Sequence, residues 1–399
     1  MPLYVTLKAT AMYEQISIEE FLFNDNITNK VITQNSSNTH TYKLKYINEK
    51  LQDLCRVEDL ILELDKFNSD YKSLRGVSRE NLYNTFFIPK HSGGLRRIDA
   101  PNAELMNALR RLKAIFEEDF HALYHTSAFA YVKKRSTIDA VKRHQQNGSN
   151  WYGKFDLSNF FGSTTIEFVM NMLSMIFPFS EVVKTKHGKD ALEQALDLAF
   201  LNGGLPQGTP ISPLITNVMM IPIDFKLSNT LRSFPCSQPN NLGETENHQR
   251  FIYTRYADDF LISSKYEFDI KEIEKFIVDT LSEFDAPFTL NSKKSRYGSR
   301  AGRNWNLGIM VNKDNNLTVG YKKKKQFQNM LASYIMDKHN GKEWDKNDVQ
   351  VMEGYRNYYR MIEGEVIDRM VEHIAKKFGE EIIHRCNGSN LKLVLEDLR

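Results

Sequence analysis

Two apolar arms, FIYTRY and FLISS, flank an adjacent pair of acids, Asp258 and Asp259, and nothing else in the chain restricts its fold as much. Arms of this length and composition read as the strands of a hairpin with Ala257-Asp258-Asp259 at its tip. Side by side at a tip, two carboxylates repel, which raises at least one pKa unless a cation offsets the charge. Mg²⁺ is the natural partner, because it takes carboxylate oxygens and keeps open positions for phosphate. A third acid from another strand would complete such a centre. Asp156, in KFDLSNFF, ends a buried apolar run and is followed by Phe160 and Phe161. Two metals roughly 3.5 to 4 Å apart can activate a hydroxyl, steady a pentacovalent phosphate and support a leaving pyrophosphate, which is nucleotidyl transfer. The plain alternative for an Asp-Asp pair is a cap or a solvated turn. The tyrosine before it and the apolar arms around it weigh against that.

At 399 residues, with 41% hydrophobic and 26% charged residues, the chain has length for two or three domains and excludes collagen-like, disulfide-scaffold and disordered classes. Cys55, Cys236 and Cys386 are far apart and show no C-x-x-C spacing, so neither a disulfide framework nor a cysteine zinc site is expected. The histidines show no paired ligand spacing and are assigned no metal. With no apolar run of membrane-spanning length and no signal-like N-terminus, the expectation is a cytoplasmic protein that does not engage membrane. Net charge is only +3, but residues 291–326 hold ten Lys/Arg against one acid, Asp314. Residues 90–113 and 133–143 are also basic, as expected of a polyanion binder. For Lys322–Lys325 alone, a solvated helix face explains the charges equally well.

Along the chain, residues 1–80 read as a mostly helical N-terminal extension. FFIPK, Gly93-Gly94 and LRRIDAP read as a hairpin. A buried strand is expected from Trp151 and an apolar helix over 166–177. A helix from Ser212 should be kinked by Pro222. Residues 233–250 are rich in breakers and read as a surface loop, residues 307–321 as a second hairpin, and everything from Lys322 as helical, with breaks near Asn340-Gly341 and Glu363-Gly364.

Taken in order, these blocks resemble the reverse transcriptases, most closely the bacterial retron-type and group II intron-like enzymes. Tyr256-Ala257-Asp258-Asp259 is similar to their Y-x-D-D signature, KHSGGLRRIDAP to the fingertip block, and AFAYVKKRS to the second block. Residues 156–161 resemble motif A, LPQGTPISP motif B, NSKKS motif D and NWNLGIMV motif E, so the resemblance spans roughly residues 81–330. Two blocks depart from the retron pattern. DAVKRH stands where N-A-x-x-H is usual, and NLG where V-T-G is usual.

The resemblance implies an α+β right-hand polymerase. Fingers would occupy residues 81–150, with part in 164–204, a palm with an antiparallel sheet 151–320, and a helical thumb 321–399. It implies an RNA-directed DNA polymerase using two Mg²⁺ ions and dNTP substrates, acting on an RNA template and RNA/DNA duplex, with a cognate non-coding RNA as the expected template. By position, Asp156, Asp258 and Asp259 correspond to the metal ligands and Phe161 to the ring that excludes a 2′ hydroxyl. Lys90 and Arg96 correspond to the triphosphate clamp, and Gln207 and Gly208 to the loop against the nascent base pair. Lys294 corresponds to the lysine that assists pyrophosphate departure, and could equally bind phosphate backbone. Leu307 and Gly308 resemble the primer grip. YRNYY at 355–359 could stack on nucleic acid or pack within the thumb. Two other readings of the same blocks are a maturase-like RNA-binding scaffold and a defence-associated polymerase that extends without a template.

Overall fold

The computed structural model describes residue 53 and residues 56–89, 93–119, 124–235, 248–302, 306–378, 382–387 and 390–395. Most of the N-terminal extension and Lys90 lie outside the described residues. The described part of the extension holds a helix over 56–70, whose Leu60, Leu64 and Phe67 are buried, followed by a 3-10 turn at Lys72–Gly76.

The fingertip hairpin forms as expected, β1 (Tyr83–Pro89) pairing antiparallel with β2 (Leu95–Pro101). Its far end stands clear of the core, with Phe86, Phe87 and Leu95 exposed. Helix α1 (Ala103–Ala114) follows, capped by Asn102 accepting from the Leu105 amide. Helix α2 (Thr137–Gln146) opens on a Ser136/Asp139 capping box. Next come β3 (Trp151–Asp156), the single turn α3 (Phe160–Ser163) and the apolar helix α4 (Ile166–Leu173). Where a kinked helix was expected there are two, α5 (Ser212–Met219) and α6 (Ile221–Thr230). The break falls at Met220, so Pro222 sits in the first turn of α6, where its missing amide has no partner to lose.

The central sheet is antiparallel, in the order β4 (Phe251–Tyr256), β5 (Asp259–Ser264), β3, β6 (Arg296–Ser299). Strand alternation sends its two faces to different cores. Phe155, Phe260 and Ile262 join the large core under α4 and α5, and Tyr152 and Leu261 meet α2 and a small second hairpin. That hairpin, β7 (Met310–Val311) with β8 (Leu317–Thr318), is where the sequence predicts one. The polar segment 233–250 is closed at its ends by pairing of Phe234 with Gln249 and of Pro235 with His248.

Two long helices follow, α7 (Tyr321–His339) and α8 (Lys346–Lys377), with their own core around Phe327, Ile335 and Ile367. Glu363 interrupts α8 and ties it to the end of the β7–β8 hairpin and to α7. Its carboxylate accepts from the Val319 amide (2.8 Å), Thr318 Oγ1 (2.9 Å) and Lys324 Nζ (2.7 Å). Tyr359 packs into this core against Phe327, whereas Tyr355 is exposed. One expectation fails here. The chain does not stay helical to its end, because β9 (Ile382–Asn387) and β10 (Asn390–Leu395) pair antiparallel. The signal was present, since Asn387-Gly388 sits between two apolar, β-branched runs. Among the described residues no helix is long and apolar enough to cross a membrane.

His144 is wholly buried between α2 and the sheet, its Nδ1 hydrogen-bonded to Ser263 Oγ (2.6 Å) and its Nε2 to Thr254 Oγ1 (2.8 Å). Burial, with a smaller push from Arg143, takes the imidazole down to about 3. An unfolded histidine titrates near 6.5. As pH falls below that, the unfolded chain takes a proton that the folded chain refuses, so stability is lost on acidification. Between pH 7.5 and 5.5 the native chain should lose roughly 1.4 kcal/mol more than His144→Gln, measured by urea unfolding.

Candidate active site

Antiparallel register places Asp156, the last residue of β3, directly opposite Asp259, the first of β5. Between β4 and β5 the turn is just Ala257-Asp258, and Ala257 takes a left-handed φ of 56°. The Leu157 amide donates to the Asp258 carbonyl (3.0 Å), tying the hairpin tip to the end of β3. On the other side, the Asn291 amide donates to the Asp156 carbonyl (2.7 Å), so the NSKKS turn lies against the same strand end. Lys294 Nζ thereby reaches both Asp156 oxygens at 3.0 Å. Lys154 Nζ lies 3.1 Å from Asp259 Oδ1.

Burial, and then the neighbouring Asp259 charge, holds the Asp258 carboxyl above the ordinary carboxylate range. Burial also raises Asp259, against the opposing pull of Lys154. Among the described residues no three His, Cys, Asp or Glu side chains form a ready-made metal cage. Asp156 and Asp259 instead face the ammonium groups of Lys294 and Lys154. The donor chemistry nevertheless fits a hard divalent cation. It is all carboxylate oxygen, crowded enough that positive charge relieves it.

Phe161 lies one turn beyond Asp156. Its ring is half-buried, edge-on to Phe160 (centroids 5.7 Å apart) and to Tyr131 (6.4 Å), while Phe160 itself is in the core. The Phe161 carbonyl accepts from the Leu205 amide (2.9 Å), which clips α3 to the LPQG loop. Gly204 is packed so closely on the Gly162 carbonyl that a Cβ there would overlap backbone. Gly204→Ala should therefore cost about 1–3 kcal/mol, seen as a lower melting temperature.

Of the residues expected at the base pair, Gln207 gives its carbonyl to the Asp99 amide of β2 (2.8 Å), and its side chain is half-buried. Gly208, at φ 123°, backs onto Asp99 and Ile98, where a Cβ would come within 2.9 Å of the Asp99 carbonyl. The loop is thus docked on the fingertip hairpin. Arg96 is exposed on β2, opposite Ile88. Leu307 and Gly308, both at positive φ, form a turn whose Gly308 carbonyl accepts from Lys323 Nζ (2.8 Å). Asn306 and Leu307 line a small hollow with Lys154, Tyr256 and Asp259.

Three participants escape the sequence reading. Lys154 had a signal, since it lies two residues before Asp156 and so shares its face of β3. Tyr131 had none by residue type. It stands exposed at φ 61°, against Phe161 and within the electrostatic reach of both Asp258 and Arg96. The third is a buried ion pair, Asp224–Arg255.

An antiparallel sheet carrying acids at one strand end, with a projecting hairpin before it and long helices after it, defines a polymerase palm in its setting. The model of the family "Reverse transcriptase (RNA-dependent DNA polymerase)" matches residues 88–329. The chain belongs to the reverse transcriptase family, and it is an RNA-directed DNA polymerase. It is 26% identical to the retron Ec83 reverse transcriptase of Escherichia coli over 332 residues, which is 82% of this chain and 96% of that one. To the retron Ec73 reverse transcriptase of E. coli it is 29% identical, covering 54% of this chain and 64% of that one. Among solved structures, the telomerase of Candida albicans in complex with a telomeric RNA fragment covers 74% of this chain and 54% of its own, at 11% identity and a TM-score of 0.40.

Proposed function

We propose that this chain copies a cognate non-coding RNA into DNA, adding deoxynucleotides to a primer 3′ end at Asp156, Asp258 and Asp259. The observation that carries the reading is the register, which puts Asp156 opposite Asp259 and sews Asp258 to the residue after Asp156. These three carboxylates would hold two Mg²⁺ ions, which when bound lower the pKa of the attacking hydroxyl and neutralise the leaving pyrophosphate.

The chain's own groups supply the rest. Arg96, with Lys90, binds the triphosphate. Phe161 closes the space beside the sugar 2′ position, and Gln207 borders the base pair from a loop braced on β2. Lys294 Nζ lies 3.0 Å from both Asp156 oxygens, a position from which it can serve the departing pyrophosphate. Fingers, palm and thumb would then be residues 81–150, 151–320 and 321–399, and the basic residues 322–325 would follow the duplex. The retron relatives support a cognate RNA as template. The thiol content supports work in the reducing cytoplasm, and defence against phage is the role proposed for the DNA made.

The test is extension of a DNA primer on a defined RNA with dNTPs and Mg²⁺, with the products sequenced. DNA complementary to the RNA, lost in EDTA and restored by Mg²⁺, is the expected result. Sequence unrelated to the RNA would identify template-free synthesis instead.

A further inference from the structure

We infer that Arg255, with Asp224, is a positioning residue for the Asp258-Asp259 tip; the inference rests on the reading of those two acids as metal-holding. Neither side chain of the pair has any exposure. Arg255 sits three residues before Asp258. Its Nε donates to Asp224 Oδ1 (2.9 Å) and Oδ2 (3.1 Å), and a terminal nitrogen donates to Oδ2 (2.8 Å). The other terminal nitrogen donates to Asn217 Oδ1 (3.2 Å) and to the carbonyl of Ala257 (3.3 Å), the turn residue held at positive φ. Tyr253 Oη donates to Asp224 Oδ1 (2.7 Å), which fixes the carboxylate as well.

The same arginine reaches the other wall of the site through its backbone. Its amide donates to the Ser127 carbonyl (2.7 Å), and its carbonyl accepts from the Phe129 amide (2.9 Å). Asn217 Nδ2 donates to the Ala130 carbonyl (2.8 Å). One arginine therefore joins α5, α6 and the acidic tip through its guanidinium, and the segment that delivers Tyr131 to Phe161 through its backbone.

A core built for stability alone has little use for such a pair, because apolar residues of similar volume usually serve as well or better. What they cannot supply is a planar fork that grips a carboxylate and, from its far edge, a turn carbonyl. Holding Ala257 in its sparsely populated conformation is the work left for it.

The test compares the double variant Asp224→Leu/Arg255→Met with Arg255→Lys, which keeps the charge and loses the fork. Melting temperature, template–primer affinity, single-nucleotide addition rate and the half-saturating Mg²⁺ concentration are read for each. Expected are near-native melting and affinity in at least one variant, with the addition rate down at least tenfold and half-saturation moved to higher Mg²⁺. A folded variant with native rate and Mg²⁺ dependence overturns the inference. So does failure of both to fold, because the pair would then be a structural element alone. Asp258→Asn is run alongside. If it stays active, the metal-holding reading itself fails; if it is inactive while the Asp224 and Arg255 variants are native, only this inference does.

Discussion

Asp258→Asn should reduce primer extension on an RNA template by roughly 10³-fold or more while leaving the fold intact. Charge stabilisation by a bound divalent cation is worth several kcal/mol of barrier, and each ~1.4 kcal/mol is a factor of ten. Asparagine keeps the volume and one oxygen but carries no charge to hold such an ion. Stability should move the opposite way. Burial and the neighbouring acids already disfavour ionised Asp258, so a neutral side chain removes a repulsion from the metal-free protein. With its folded pKa raised, Asp258 binds its proton more readily in the folded chain than in the unfolded one. Its ionisation therefore costs the metal-free protein stability as pH rises from the ordinary carboxylate value through the raised one. Single-turnover extension and thermal melting in EDTA on the same preparations check both halves. The expected pairing is an inactive variant that melts at or above the native temperature, as for a site that gives up stability for function. Undiminished synthesis would remove Asp258 from the chemistry.

The parts of this site visible in the sequence are those governed by local rules. Apolar arms around two acids define a hairpin wherever they occur, and an acid at the end of a buried run must emerge at a strand end. That is how Asp156 and Asp259 could be paired across a hundred residues. The hidden parts depend on long-range contacts or unusual backbone. Asp224 lies in a helix 31 residues before Arg255, and nothing in either segment announces that they meet, buried, behind the tip. Tyr131 matters through a positive φ that residue type does not advertise. The sequence points to the Gln207 side chain, yet the contact that locates the loop is the Gln207 carbonyl, which accepts from the Asp99 amide. The C-terminal hairpin is hidden for another reason. Two long helical patterns before it favour helix as the continuation, against the Asn387-Gly388 turn signal in the sequence.

Phe161→Ala should raise ribonucleotide incorporation roughly 10²-fold and slow deoxynucleotide addition much less. An apolar pocket with slack discriminates poorly against a substrate that merely adds a hydroxyl, so strong rejection needs a wall that cannot yield. Phe161 meets that condition. Its backbone is clipped by the Leu205 amide, and Phe160 and Tyr131 meet its ring edge-on. Truncation leaves those neighbours in place and opens the space the ring occupied. Two controls separate gating from packing. Phe160→Ala deletes a core ring that lies against Phe288 (5.0 Å) as well as Phe161, so it should cost ~3–5 kcal/mol of stability and lower sugar selectivity only part of the way. Tyr131→Ala removes the support but not the wall, so selectivity should fall part of the way. Competition between dNTP and rNTP in single-nucleotide addition gives the ratio for all three. Equal discrimination by Phe161→Ala and native protein would move the gate elsewhere, with Tyr131, the exposed ring that meets Phe161, as the next candidate.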